Sequence, residues 1–419
     1  MTTDPLGRLD DDQVTAATTA ADRTEQLDGV LVLGAGPTGL AAAVTLARAG
    51  VAVTVMEKGA DLATESRAST FHPPTLELLD DLGLAAAVVR DGLTAPTTQF
   101  RDRRTGPVAT FDLGRLADET AFPFRVQLEQ DKFCRLALDA IAAEGLPIDV
   151  RFEHRAHGVL DHDADGVTVL VGTADGFVRT RAPWLVAADG AHSAVRTSLG
   201  IDLVGETYPE RFLVVSVGDP LHELLDDLAH VNYVADPDEW LVLLRTPDHW
   251  RVLFPVVTDD PDAELEDAAL QARLGTVAPL DGPWTVLGAS LYVVSRRVAE
   301  RMRVGRVLLA GDAGHQNSPL GGMGMNSGIQ DAVSAGRRLV AVLGGAGEAV
   351  LDEYDERRRR VATEYVQADS HANWLVLREA DPKRRAELQA DLRAAAADPE
   401  RHRERVRRSA MLDAVRNSL

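Results

Sequence analysis

A chain of 419 residues, 45% of them hydrophobic, can bury a large core and has room for two or three structural domains, which excludes wholesale disorder. The formal net charge of −21 sets an unfavourable mean field for polyanions, so no nucleic-acid and no membrane partner is expected. The one cysteine, Cys134, cannot form an internal disulfide, the acidic start lacks the cationic and apolar parts of a signal peptide, and no apolar run approaches the roughly 18 residues of a membrane span; a soluble, cytoplasmic protein is expected.

Residues 1–28 alternate Asp, Thr and Ala without period and read as a mobile N-terminal tail. Val30 to Leu33 is then a short apolar run ending at glycine, followed by an Ala- and Leu-rich helix from about Pro37 to Ala49 and a second strand over Val51 to Met56. That order is a βαβ unit, with a parallel sheet and a right-handed crossover. Between its strand and helix stands Gly34-Ala35-Gly36-Pro37-Thr38-Gly39. In such a turn the first glycine permits the tight bend, the second lets the backbone approach a pyrophosphate and the third lets helix and strand pack, while the helix N-terminus supplies donors. Glu57 ends the second strand, with Lys58 beside it, at the spacing where a carboxylate accepts hydrogen bonds from ribose hydroxyls. A carboxylate there repels a 2′-phosphate, so the dinucleotide is expected to be FAD or NAD rather than NADP.

Helices are expected over Pro73 to Asp81 and Glu129 to Glu144, each with an apolar face at helical spacing. From about Gly200 to Val294 the chain changes to short apolar runs separated by Asp/Pro-rich turns, the pattern of an antiparallel sheet inserted in an α/β framework. Beyond Val350 it is helical and densely charged, read as solvated faces carrying mutual ion pairs.

Two further segments make the pattern specific. The apolar Trp184-Leu185-Val186 runs into Ala187-Ala188-Asp189-Gly190-Ala191-His192-Ser193-Ala194-Val195-Arg196, and Gly305 to Leu309 runs into Ala310-Gly311-Asp312-Ala313-Gly314-His315 and on through Pro319-Leu320-Gly321-Gly322-Met323-Gly324-Met325-Asn326. Together they resemble the DG and GD motifs of the class A flavoprotein monooxygenases, the p-hydroxybenzoate hydroxylase family, with Gly314 in place of the usual alanine. The matched segments frame residues 29–345.

The resemblance implies a fold: a Rossmann-like FAD-binding domain of the p-hydroxybenzoate hydroxylase type over 29–200 and 296–349. A substrate-binding antiparallel sheet over 201–295, joined by part of 73–120, is inserted in it, and C-terminal helices follow over 350–419. It also implies roles. Asp189 and Gly190 touch FAD, Gly311 and Asp312 meet the ribityl chain, and Pro319 lies against the flavin ring. Gly322, Gly324, Met325 and Asn326 belong to a turn and helix aimed at the ring's pyrimidine edge, where backbone donors and a helix dipole stabilise negative charge. Arg67 matches an arginine near the FAD phosphates and the nicotinamide site, and Gln127 a glutamine that touches FAD. The implied activity is reduction of non-covalent FAD by NAD(P)H, reaction with O2 at C4a, and hydroxylation of a small aromatic or phenol-like substrate by the resulting hydroperoxide. His72, Tyr208, Tyr233, His249 and Tyr292 are candidate proton partners, but no motif assigns a catalytic base, and no metal site is expected. The tryptophans are isolated, which argues against a flavin-dependent halogenase. A flavin reductase or dehydrogenase on the same fold and a non-catalytic FAD-binding accessory protein remain as alternatives, and substrate, nicotinamide preference and oligomeric state stay open.

Overall fold

The computed structural model of the protein describes residues 4–64 and 68–416. Val30–Leu33, Trp184–Ala187 and Val307–Leu309 are apolar at every position and have no face to give to water, so each becomes a strand buried on both sides. They run parallel, with Val32 beside Val186 and Val186 beside Leu308, and Val53–Met56 and Ile148–Arg151 extend the sheet on one side. Arg303–Val304 closes the other edge as an antiparallel strand, giving six strands.

Helix Pro37–Arg48 lies against this sheet with Gly39 to Ala47 all buried. It packs on the long helix Gly324–Leu343 through small residues: a Cβ on Gly336 would stand 2.7 Å from Thr45 Cγ2, and one on Gly328 2.4 Å from Thr38 Oγ1. That close approach brings the chain around residue 324 back over the first βα turn.

The inserted sheet has eight strands, built around the paired Leu203–Val217 and Val286–Ala299 and extended by Trp250–Val256, Leu241–Arg245 and Val231–Ala235. Period-two alternation covers both faces. Phe212, Val214, Val242 and Leu253 point into a cluster shared with the C-terminal helices, while Leu213, Val215, Leu243 and Val252 point into another under Leu270, Leu274 and Trp284. Fully burying side chains of this size stabilises the fold by about 1.5–3 kcal/mol each. The hairpin Thr97–Asp102 and Gly106–Asp112 extends the sheet at one end and His315–Gln316 at the other, and the hairpin's junction, Gln99 beside Asn232, is parallel where the other pairs are antiparallel.

The N-terminal reading needs correction. Residues Asp11–Ala20 form a helix closed by a capping box between Asp10 and Gln13, and Thr24–Gln26 pairs as an edge strand with Arg179, Thr180 and Arg181. Only Ala17 and Ala21 are buried, packed with Leu170, so the stretch carries almost no hydrophobic periodicity to betray it.

Helices Ala349–Val361 and Pro399–Ser409 do carry surface ion pairs, such as Arg357 with Glu353 and Arg403 with Glu119. Arg358 departs from that expectation, being wholly buried. Cys134 is also buried, and burial first, then the Asp131 and Glu57 carboxylates, push its thiol up to about 12. Among the described residues no helix is long and apolar enough to cross a membrane.

A cavity joining the glycine turns to the inserted sheet

One continuous cavity of about 730 Å³ runs from the Gly34–Gly39 turn to the inserted sheet. Gly34 has φ +100°, and a Cβ on it would lie 2.4 Å from the Ala188 carbonyl oxygen, so the first two parallel strands can meet only through glycine there. Gly36 opens onto empty space, Pro37 starts the helix, and Thr38 completes this wall. Gly39 lies behind the cavity, where a Cβ would meet the Gly34 carbonyl at 1.9 Å, so its part is to let helix and strand touch.

Glu57 and Lys58 line the next stretch. The Glu57 carboxylate accepts from Ala35 N at 2.9 Å and Gly59 N at 3.0 Å, which fixes its plane and leaves each oxygen a further lone pair. Opposite stand Asp189 and Gly190. Burial raises the Asp189 carboxyl, against hydrogen bonds from Ser193 and the following backbone, and its Oδ1 meets no partner among the described residues. Gly190 has φ +84° and faces open space. In the same motif Ser193 caps the short helix Ala194–Ser198, and Arg196 donates to the Ala191 and Ala313 carbonyls, tying this turn to that of Gly311.

Asp312 is exposed in the cavity, and Pro319, Gly322, Gly324 and Met325 line it beyond. Gly311 lies behind, at φ +61°. Its N–H donates to Asp331 Oδ2 at 2.9 Å. Asp331 is fully buried, receives His315 Nε2–H at 2.7 Å on the same oxygen, and takes Arg358 Nε–H at 2.5 Å on Oδ1. Burial alone would raise the Asp331 carboxyl, but Arg358 and His315 outweigh it and hold it below the usual carboxylate range. Tyr354 completes the floor by donating to the Leu309 carbonyl at 2.6 Å. Sequence reading missed this framework, because Asp331 and Arg358 sit in helices whose charges look superficial. Its only trace is an acid on the apolar stripe of Gly324–Leu343.

Asn326 and Gln127 differ from expectation. Both are fully buried and neither lines the cavity. Asn326 donates to the Thr70 and Gly322 carbonyls, both at 2.7 Å, and accepts from His72 N at 2.8 Å, so its amide stitches the turn together. Gln127 accepts from Thr70 Oγ1 at 3.0 Å. Arg67 lies outside the described residues.

The far end of the cavity is walled by Leu244, Leu253 and Val294, with Arg251 and Tyr292 as its polar groups. Arg251 is 4% exposed and donates to Ser69 Oγ at 3.4 Å. Of the five candidate proton partners, Tyr292 lines the cavity and the others do not. His72 donates Nε2–H to the Gly321 carbonyl at 2.9 Å, and burial, then Arg125, holds it well below the usual histidine range. Tyr208 hydrogen-bonds His371 at 3.1 Å, Tyr233 stacks on Phe100, and His249 meets Thr246 at 3.2 Å.

Taken as a donor set, the cavity fits an elongated anionic dinucleotide with a planar end group. It offers open glycine walls, a helix N-terminus, carboxylates for hydroxyl groups and an apolar far end. Among the described residues no cluster of His, Cys, Asp or Glu could hold a metal ion.

Comparison with known proteins agrees with that chemistry. Residues 28–369 match the family model described as FAD binding domain. The para-nitrophenol 4-monooxygenase of Pseudomonas sp. (strain WBC-3) is 33% identical over 385 residues, 89% of this chain and 93% of that protein. The pentachlorophenol 4-monooxygenase of Sphingobium chlorophenolicum is 32% identical, over 82% of this chain and 64% of its own. The crystal structure of p-nitrophenol 4-monooxygenase from Pseudomonas putida DLL-E4 superposes with a TM-score of 0.88 at 32% identity, covering 94% of this chain and all of that one. With the glycine turns, the DG and GD segments and the inserted sheet in place, the chain belongs to the FAD-binding family of class A flavoprotein monooxygenases, the FAD-dependent aromatic hydroxylases.

Proposed function

We propose that this protein hydroxylates a compact phenol, using FAD, NAD(P)H and O2, at the end of the cavity walled by the inserted sheet. The observation that carries the reading is the continuity of that cavity from the Gly34–Gly39 turn to the Arg251–Tyr292 wall. Gly34, Gly36, Pro37 and Thr38 would hold the pyrophosphate on the helix N-terminus, with Glu57 and Lys58 at the adenosine ribose. Asp312 would meet the ribityl hydroxyls, Asp189 and Gly190 would flank them, and Pro319, Gly322, Gly324 and Met325 would border the ring. Asn326, Gly39, Gly311 and Gln127 would serve by shaping those turns.

When bound, the flavin supplies the redox chemistry, taking hydride from NAD(P)H and activating O2 to deliver one oxygen atom to an electron-rich carbon. The chain's own residues orient and ionise the substrate. Leu244, Leu253 and Val294 exclude water around an aromatic ring. The Arg251 guanidinium, itself buried, favours the phenolate over the phenol at a neighbouring oxygen, and the Tyr292 hydroxyl can donate to that oxygen. Phenolate formation enriches the ring carbons in electrons, which is what oxygen transfer requires. The relatives' activities on p-nitrophenol and pentachlorophenol support a phenol of this size.

The test is product mass under isotopically labelled O2, with 4-nitrophenol as the probe and NADH or NADPH as reductant. The expected product carries one labelled oxygen. Reductant consumption with no labelled product from any phenol tried would leave a reductase, and FAD binding with neither consumption nor product would leave an accessory protein.

For the cofactor site, Asp312→Ala is expected to weaken FAD binding by about 1.5–3 kcal/mol, the range for hydrogen bonds to a charged group. Asp259→Ala is the suitable control, since Asp259 is exposed and lines no part of the cavity. Equal FAD dissociation constants for the two variants would remove Asp312 from the site.

A further inference from the structure

Residues 4–26 precede the matched region at 28–369, yet Arg8, Leu9, Asp11 and Val14 line the same cavity as the glycine turns. The segment is anchored on both sides of that stretch. Before it, His157 Nε2–H donates to the Pro5 carbonyl at 2.8 Å, and the backbone at Gly172 comes so close that a Cβ there would lie 1.8 Å from the same oxygen. After it, Arg179 donates to the Thr18 carbonyl at 2.6 Å, Ala17 and Ala21 pack with Leu170, and Thr24–Gln26 adds an edge strand. The capping box of Asp10 and Gln13 fixes the turn between Arg8 and the helix.

The end of the cavity that this segment faces can be identified. His157 stands on strand Arg155–His162, which follows directly on the backbone bond from His154 N to the Glu57 carbonyl at 2.9 Å. Arg155, Ala156 and His157 line the cavity beside Glu57 and Lys58, at the opposite end from Arg251 and Tyr292 in the inserted sheet. We propose that residues 5–14 form a strap that closes the Glu57 end of the cavity over the adenosine half of FAD, with Arg8 as the side chain that meets it. This rests on the placement of the adenosine ribose at Glu57. A guanidinium is planar and weakly hydrated, so it can stack on a purine face or fork onto a phosphate, and Leu9 adds apolar contact beside it. Most of the site is made by glycine turns that any dinucleotide-binding chain of this type possesses. The strap adds contacts to a part of FAD remote from the reacting ring, and so serves retention of the cofactor.

The test uses the full-length apoprotein with FAD and with ADP as probes. Arg8→Ala is expected to raise the FAD and ADP dissociation constants by about tenfold, equivalent to 1.4 kcal/mol, with Arg8→Lys recovering only part of the loss. Amide hydrogen exchange over residues 6–14 in the wild-type protein is expected to slow on adding either ligand. Unchanged affinity together with unchanged exchange overturns the strap. Glu57→Ala separates the two readings. If it weakens ADP binding while Arg8→Ala and the exchange are silent, the adenosine site stands and the strap fails. If ADP binding ignores Glu57 as well, the adenosine is not at this end and both fail.

Discussion

Replacing Arg358 by methionine is expected to destabilise the protein by about 3–5 kcal/mol, the usual consequence of stranding one charge of a buried pair. Arg358 and Asp331 are both inaccessible to water and 2.5 Å apart, and the other ionisable contact of Asp331, His315, is charged only when protonated. A Met/Leu double replacement would spare the charge but still leave the Gly311 N–H without its acceptor. The loss also has a pH signature. In the wild type the Asp331 carboxyl is held down, so its contribution to stability is present above the unfolded carboxylate pKa of about 3.9 and fades as pH falls through the lower folded value. Without Arg358, burial would raise that carboxyl, and the protonated acid would be tolerated. The gap between variant and wild type should therefore narrow as pH drops from 7 toward about 4. Denaturant unfolding at several pH values measures it, and a gap under about 1 kcal/mol at pH 7 would contradict the assigned role.

Gly36→Val is expected to abolish cofactor retention while leaving the apoprotein folded. Gly36 is in extended backbone, φ −75° and ψ 179°, which valine adopts readily, and an added Cβ would meet nothing within 4 Å. That empty space is the cradle beneath the proposed pyrophosphate, so the isopropyl group would stand where phosphate oxygens approach the backbone. A loss of at least about hundredfold in FAD affinity, roughly 2.7 kcal/mol, is expected with little change in apoprotein melting temperature. Gly34→Ala provides the contrast. Its Cβ would collide with the Ala188 carbonyl at 2.4 Å and its φ is +100°, so this variant should lose stability even without FAD. If Gly36→Val binds FAD normally, the cradle has been misplaced.

Much of the framework could be read in the sequence because its signals are local. Val30–Leu33, Gly34 to Gly39 and Pro37–Arg48 form strand, turn and helix through neighbours in the chain, and Pro73–Asp81 follows from two prolines and a leucine face. What escaped depends on distant partners. Arg358 reads as one of four consecutive arginines, and only the fold shows that it turns inward to Asp331. Asn326 sits in a motif that looks ligand-binding, yet its amide is consumed by Thr70, His72 and Gly322. Tyr292 is one of five candidate proton partners in the sequence and Arg251 is not among them, because both stand on ordinary strands, where nothing local distinguishes a residue facing the cavity from one facing a packed core. The helix Asp11–Ala20 failed for the opposite reason, since it buries too little to need a pattern.

The junction of the hairpin Thr97–Asp112 with the inserted sheet bears on how the chain assembles during synthesis. Gln99 finds its parallel partner only in Asn232, and the strands between that partner and the rest of the sheet come later still. A growing chain that has emerged as far as the DG turn therefore holds a two-stranded ribbon with both edges open and an apolar face, Phe100 and Phe111, whose cover arrives much later. Such a species has few local contacts to fold around and an edge that can pair with another nascent chain. Yield of active protein should consequently respond to slower translation, lower temperature or chaperone supply more than the stability of the finished fold would indicate.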